Sequence, residues 1–170
     1  VVNIQEICCF HETETNGGIF KGIIAGNCVE IMLPSSEHEY GVCNLCSIVL
    51  PTFVHQKGTS YGTLESYRQP RYLPEKITEP IFDFAGLAIV TEKITESMDR
   101  VIDRNSYPVP EAALSNFLHR PIGIGTSGLA DVCCLMKTPY NSNSAVKLSG
   151  MIAETIAYSS LAASTKLAKK

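Results

Sequence analysis

The sequence predicts an α/β fold, and two observations carry that prediction. Short apolar runs bounded by glycine, proline or polar residues alternate along the chain with longer segments whose apolar residues recur every three or four positions. Prolines then stop the helical patterns at defined places, with Pro108 and Pro110 after one and Pro139 after another.

In chain order, Val1 to Phe10 is apolar and reads equally as a strand or a short buried helix, since periodicity alone does not arbitrate. Glu12 to Gly18 is rich in turn formers and is expected to be a connector. Ile19 to Ala25, centred on Ile23 and Ile24, forms a short strand. Val42 to Val54 is apolar except for Asn44, Ser47 and Thr52. It is expected to hold a buried strand around Cys43 and then a short helical or irregular piece ending near Pro51. From Gln56 to Pro80 tyrosine, proline and scattered charge replace the apolar pattern, so this segment reads as a solvated surface insertion, with a partner-docking surface as the alternative.

Asp83 is placed to cap a helix. Phe84, Leu87, Ile94, Met98 and Val101 then give one apolar stripe as far as Asp103. Glu111 follows the two prolines and is a candidate for the start of a short helix. Pro121 to Gly125 is a short buried strand, and Gly128 to Met136 is a helix. Ser142 to the end is an alanine-rich helix with Val146, Met151, Ile152, Ile156 and Leu161 available for one face.

Length suits one domain. The formal charge of -3 argues neither for a nucleic-acid partner nor for a membrane surface, and no apolar run approaches the ~20 residues of a membrane span. Seven cysteines, an odd number that includes the neighbours Cys8-Cys9 and Cys133-Cys134, do not form a secreted disulfide framework. A reducing cytoplasmic setting is expected. The chain starts at Val1 without an initiator and stops within a helical pattern, so it is expected to be part of a longer protein.

Gly26 to Cys43 concentrates the reactive groups. Cys28 and Glu30 are two residues apart, which on an extended segment points a thiol and a carboxyl the same way. A polar loop, Pro34 to Glu39, separates them from a second thiol at Cys43. Two other patterns carry less. Gly123-x-Gly125-x-x-Gly128 follows a strand and opens a helix, as a dinucleotide fingerprint does, but no acidic second strand follows at ~20 residues, so close strand–helix packing is the preferred reading. Cys43-x-x-Cys46 with Cys9-x-His11 has poor spacing for zinc, and on a strand Cys43 and Cys46 point to opposite faces. Cys46, Cys8, Cys9, Cys133 and Cys134 read as small buried residues, and His119-Arg120 as a structural pair.

Four ordered stretches resemble the large subunit of class I ribonucleoside-diphosphate reductase. They are Asn27-Cys28-Val29-Glu30; Gly41-Val42-Cys43-Asn44-Leu45-Cys46-Ser47; Tyr107-Pro108-Val109-Pro110-Glu111-Ala112; and His119-Arg120-Pro121-Ile122-Gly123-Ile124-Gly125 running on to Gly128-Leu129-Ala130-Asp131. The similarity runs from about Gly22 to the end, apart from 56–80. The family pattern is Asn-Leu-Cys-x-Glu. Counting back from Cys28 puts Gly26 at the asparagine position, whereas deletion of the leucine makes Asn27 the equivalent residue. A two-residue shift at Gly22-Ile23-Ile24 favours the deletion.

The resemblance implies an α/β barrel of ten strands, two antiparallel halves of five parallel strands, with a central finger loop. Residues 1–170 would be a partial catalytic barrel domain and 22–43 the finger with the strand behind it. It implies reduction of ribonucleoside diphosphates to 2′-deoxyribonucleoside diphosphates by a thiyl-radical mechanism. In that scheme Cys28 takes the 3′ hydrogen, Glu30 removes the 3′-hydroxyl proton, and Asn27 orients Glu30 and substrate. Cys43, with a cysteine upstream of this sequence, supplies two electrons. Asn27, Cys28 and Glu30 would touch the substrate, with Cys28 on a loop, Cys43 on a strand, and Cys28, Glu30 and Cys43 facing one cavity.

The implied partners are a metal-containing, radical-generating small subunit, a second large subunit, and thioredoxin or glutaredoxin as reductant. ATP and deoxynucleoside triphosphates act as effectors, and no cofactor is expected on this stretch itself. A reductase-like protein that has lost catalysis and serves as a binding or regulatory partner is the rival. Retention of a thiol beside a base argues against it.

Overall fold

The computed structural model describes residues 17–20, 23–26, 33, 35–56 and 79–169. The expectations for Val1 to Phe10, for Asn27, Cys28 and Glu30, and for nearly all of 56–80 lie outside the described residues. The elements are β1 (Gly17–Phe20), β2 (Ile23–Gly26), β3 (Asn44–Val49), a 3-10 turn (Leu50–Phe53), β4 (Val54–His55), β5 (Ile81–Phe82), α1 (Phe84–Arg104), α2 (Pro110–His119), β6 (Ile122–Ser127), α3 (Leu129–Leu135) and α4 (Asn143–Leu167). Helices and strands mix as an α/β reading requires.

The described strands pair two by two. β1 and β2 are antiparallel with Gly17 opposite Gly26 and Phe20 opposite Ile23, β3 pairs with β6, and β4 pairs antiparallel with β5. Gly17 and Gly18 therefore belong to a strand and not to the expected connector. Pairing with β2, Gly17 opposite Gly26 and Gly18 opposite Ala25, overrides the weak strand preference of glycine.

The described residues fall into two compact units. One joins the residues up to Cys46 to Met98–Gly123, and the other joins Ser47–Ser97 to Ile124–Lys170. The second unit has the larger apolar core, built from Ile48, Leu50, Phe53, Val54, Phe82, Leu87, Val132, Ile152 and Ile156. Phe82 links two aromatic neighbours, with ring centroids 6.2 Å from Phe53 and 4.9 Å from Phe84. Each fully buried aliphatic side chain such as Leu87 contributes about 1.5–3 kcal/mol over its exposed state.

Helix α1 starts as expected. Asp83 Oδ1 accepts the Gly86 N–H at 2.8 Å, which satisfies one of the orphan donors of the first turn. Phe84, Leu87 and Ile94 of the predicted stripe pack in or against the core as expected, but the packed face is not the whole stripe. Leu87, Thr91, Thr95 and Ile102 are buried and Val101 is exposed. The threonines can be buried because each hydroxyl donates back along the helix, Thr91 to Leu87 O at 2.8 Å and Thr95 to Thr91 O at 2.9 Å. With two threonines on the packed face, the stripe turns slightly and takes in Ile102 in place of Val101.

The remaining helices follow from their termini. α2 has a proline in its first turn, where a missing N–H costs nothing, and Glu111 beside it favours the positive end of the helix dipole. α4 is capped by Ser142, whose Oγ accepts the Ala145 N–H at 3.2 Å. Its buried positions are Ala145, Ile152, Ile156, Ser159 and Ala163, while Val146, Met151 and Leu161 are exposed. The expected apolar face is thus partly corrected: Ile152 and Ile156 pack in the core as expected, and the small residues Ala145, Ser159 and Ala163 share the buried side in place of Val146, Met151 and Leu161. Cys133 is buried as expected, but Cys134 is exposed.

Candidate functional site

Of the predicted site residues, Cys43 is the one within the described residues. It stands immediately before β3, not within it, and is exposed. Along β3, Asn44 and Ile48 are buried and Cys46 half-buried, whereas Leu45, Ser47 and Val49 are exposed. Alternation therefore sends Cys43 and Cys46 to opposite faces, as expected. The burial is not as expected: the Cys43 side of the strand is open among the described residues. Cys46 donates its thiol to Gly123 O at 3.6 Å, and burial pushes that thiol up from the ordinary range. It is held as a protonated, inert cysteine.

Asn44, next to Cys43, is 7% exposed and spends both amide hydrogens within one turn of chain. Its Nδ2 donates to Asn116 Oδ1 at 3.0 Å and to Pro121 O at 3.1 Å. Asn116, fully buried on α2, donates its own Nδ2 to the Tyr107 hydroxyl at 2.6 Å. Tyr107 in turn donates to Ile102 O at 2.9 Å. Two buried carboxamides and a phenol are thereby satisfied in series, which is the condition for burying them at tolerable cost. The signal in the sequence was Asn44, a polar residue inside an apolar run. Nothing in the sequence paired it with Asn116.

The loop that leads into Cys43 is tied to the same helix. Ser36 N donates to Glu39 O at 2.7 Å and Gly41 N to Ser35 Oγ at 2.7 Å, which closes the loop on itself. Tyr40 N then donates to Glu111 O at 3.2 Å, and the Glu39 carboxylate pairs with His119. Arg120 closes α2 in the left-handed region at φ 45°, with its N–H on Asn116 O. Its guanidinium donates to Asp99 Oδ1 at 2.6 Å, Asp103 Oδ1 at 2.8 Å and Asp99 O at 2.8 Å. His119 and Arg120 thus form a structural pair, as expected, and the carboxylates they hold are Glu39, Asp99 and Asp103.

Gly128, the last glycine of the Gly-rich pattern, also has a packing role. Its φ is +81°, and a Cβ there would lie 2.6 Å from Pro51 Cδ. The seven-residue α3 follows. Glycine here allows the turn and the close approach of Pro51.

The family model described as ribonucleotide reductase, barrel domain, matches residues 13–170. The ribonucleoside-diphosphate reductase large subunit of Arabidopsis thaliana is 40% identical over 174 residues, covering 98% of this chain and 20% of that protein. The large subunit of Trypanosoma brucei brucei is 39% identical over 166 residues, covering 98% of this chain and 17% of its own length. That of Dictyostelium discoideum is 46% identical over 141 residues, covering 83% of this chain and 15% of its length. The chain spans about a fifth or less of the length of the curated relatives it matches.

Proposed function

The chain belongs to the ribonucleotide reductase barrel-domain family, and on that premise we propose that it supplies the central finger and one redox cysteine to the reduction of ribonucleoside diphosphates. The relatives bear the name ribonucleoside-diphosphate reductase large subunit, which favours the enzyme over the non-catalytic rival. One observation supports the assignment of Cys43 above the others. Its thiol is exposed, while the residues on both sides of it are tethered to α2.

The chemistry balances through thiols. Two thiols give two protons and two electrons, the ribose loses its 2′-hydroxyl as water, and the products are a deoxyribonucleoside diphosphate, water and a disulfide. In the full-length protein Cys28, oxidised to a thiyl radical, takes the 3′ hydrogen and later returns it. Glu30 removes the 3′-hydroxyl proton, for which ionisation and hydrogen-bond reach suffice. Asn27 orients Glu30 and the substrate. Cys43 and a cysteine from the preceding part of the longer protein become the disulfide, which needs their Cα atoms within about 7 Å.

The 3′ carbon radical must be kept from water, which a closed barrel does and an open groove does not. The radical comes from a separate metal-containing small subunit. A second large subunit, nucleoside triphosphate effectors, and thioredoxin or glutaredoxin complete the proposed system. A cytoplasmic site of action is part of this proposal; separately, among the described residues no helix is long and apolar enough to cross a membrane. Residues 22–43 are read as finger and following strand, and 56–80 as a surface insertion.

The test uses the full-length large subunit with its small subunit. Cys28→Ser is expected to abolish reduction while nucleotide binding persists. One turnover of the parent without external thiol is expected to convert Cys43 to a disulfide, mapped by mass spectrometry, and to leave Cys46 reduced. Product accumulating while Cys43 stays free would refute its role, and turnover of Cys28→Ser near the parent rate would refute that of Cys28.

A further inference from the structure

We infer that Asn44 is a positioning residue for the Cys43 thiol, acting through the hydrogen-bonded series Asn44–Asn116–Tyr107. This rests on the reading of Cys43 as a reductant. The argument starts from the direction of the series. Its two ends are backbone carbonyls, Pro121 O and Ile102 O, and a carbonyl only accepts. Tyr107 must therefore donate to Ile102 O and accept from Asn116. That turns the Asn116 amide nitrogen toward Tyr107 and its oxygen toward Asn44. Asn44 is left with acceptors on both sides and must present its nitrogen to each of them. The amide orientation of both asparagines is thus dictated by the network and has one solution.

Such a network fixes a backbone position more firmly than apolar packing does. A leucine at 44 could rotate or slide, whereas an amide with two directed bonds cannot do so without leaving Asn116 Oδ1 and Pro121 O unsatisfied. The Cys43–Asn44 peptide is joined directly to the Cα that carries this anchored side chain. On the other side, Tyr40 N is held by Glu111 O. Both anchors are on or next to α2, so the chain around Cys43 is pinned to one rigid element from before and after. A disulfide tolerates a narrow range of Cα separation and dihedral angle, and deviation makes it easier to reduce. Fixing the backbone beside Cys43 therefore sets the stability of the disulfide that the thiol forms.

The experiment measures the thiol–disulfide equilibrium of Cys43 in the full-length large subunit. The protein is equilibrated in glutathione redox buffers, and Cys43 is quantified by alkylation and mass spectrometry. In Asn44→Leu the equilibrium is expected to move at least tenfold toward the dithiol, about 30 mV in the oxidising direction for a two-electron couple. Ile156→Val, a core change in the other unit, is expected to lower the thermal midpoint without moving the equilibrium. This separates placement of the thiol from loss of stability. If Asn44→Leu does not fold, Asn44→Ser, which keeps a single donor, takes its place with an expected shift of at least threefold.

An equilibrium within twofold of the parent in the folded variant would overturn the inference. An Ile156→Val shift as large as that of the Asn44 variant would overturn it too. The reading beneath it fails separately: in that case the parent itself shows no Cys43 disulfide after turnover, and Cys43→Ser reduces substrate at the parent's rate.

Discussion

Arg120 has a backbone conformation that costs a non-glycine residue about 1–2 kcal/mol, and its side chain shows what holds it there. The guanidinium spans Asp99 and Asp103 on α1 with three donors, and the same residue caps α2. The hydrogen bond from Arg120 is the main cause that holds the Asp103 carboxyl below the usual carboxylate range; desolvation opposes it, and the charge of Arg120 adds a lesser lowering. The sign follows from linkage. A carboxyl whose value is lower in the folded state stabilises the fold above its unfolded value, about 3.9, and that stabilisation is lost as pH falls through the lowered folded value. Arg120→Gln should therefore be less stable than the parent at pH 7, and the gap should begin to narrow as pH falls below about 4. Denaturant midpoints at pH 7 and pH 3 check this. A gap of constant size would show that the pair does not contribute through Asp103.

At the scale of elements, the joint between β6 and α3 offers the sharpest substitution. Gly128→Ala combines a left-handed backbone, which costs a residue with a Cβ about 1–2 kcal/mol, with a Cβ placed 2.6 Å from the Pro51 ring. The proline ring cannot swing aside as a flexible side chain would. A loss of about 2–4 kcal/mol is expected, seen as a lower denaturant midpoint in the full-length protein, and Pro51→Ala should return part of it. If Gly128→Ala is neutral, the glycine is not there for packing. The strand, the glycines and the helix of this joint were legible in the sequence, as was the Asp83 cap, because caps and punctuation act over three or four residues; the burial expected of the strand was not, since no residue of β6 is buried. Less legible was anything that depends on distant residues. Thr91 and Thr95 were not among the predicted stripe, and the back-bonds that let them be buried link each to a carbonyl one turn away. On α4 Ile152 and Ile156 turned inward as expected, but Ala145, Ser159 and Ala163 filled the rest of the inner side. The partners of Asn44, 72 and 77 residues away, have no local signature at all. For Asn27, Cys28 and Glu30, the reading still rests on family resemblance.

At the scale of the whole molecule, β3 has apolar residues on both faces. Ile48 and its neighbours in the core cover one face, while Leu45 and Val49 on the other are each 54% exposed. A strand apolar on both sides belongs in a sheet covered on both sides, and a barrel wall has that character, with an outer face packed on helices and an inner face lining the interior. Cys43 shares the open face with Leu45 and Val49. On the proposed reading, that face is expected to be the one turned inward in a barrel; this chain spans a fifth or less of the relatives it matches. The consequence is measurable, since an exposed leucine changed to serine on a free surface shifts stability by no more than about 0.5 kcal/mol. If Leu45 lines a packed barrel interior in the full-length protein, Leu45→Ser should instead cost about 2–4 kcal/mol, the loss of apolar burial plus the cavity and the unsatisfied hydroxyl left behind. Urea denaturation of the parent and the variant, with unchanged m-values as the check that both unfold alike, decides the point. A cost near zero would place the Cys43 face of β3 at a solvent-exposed surface and would remove the shielded interior that the radical chemistry requires.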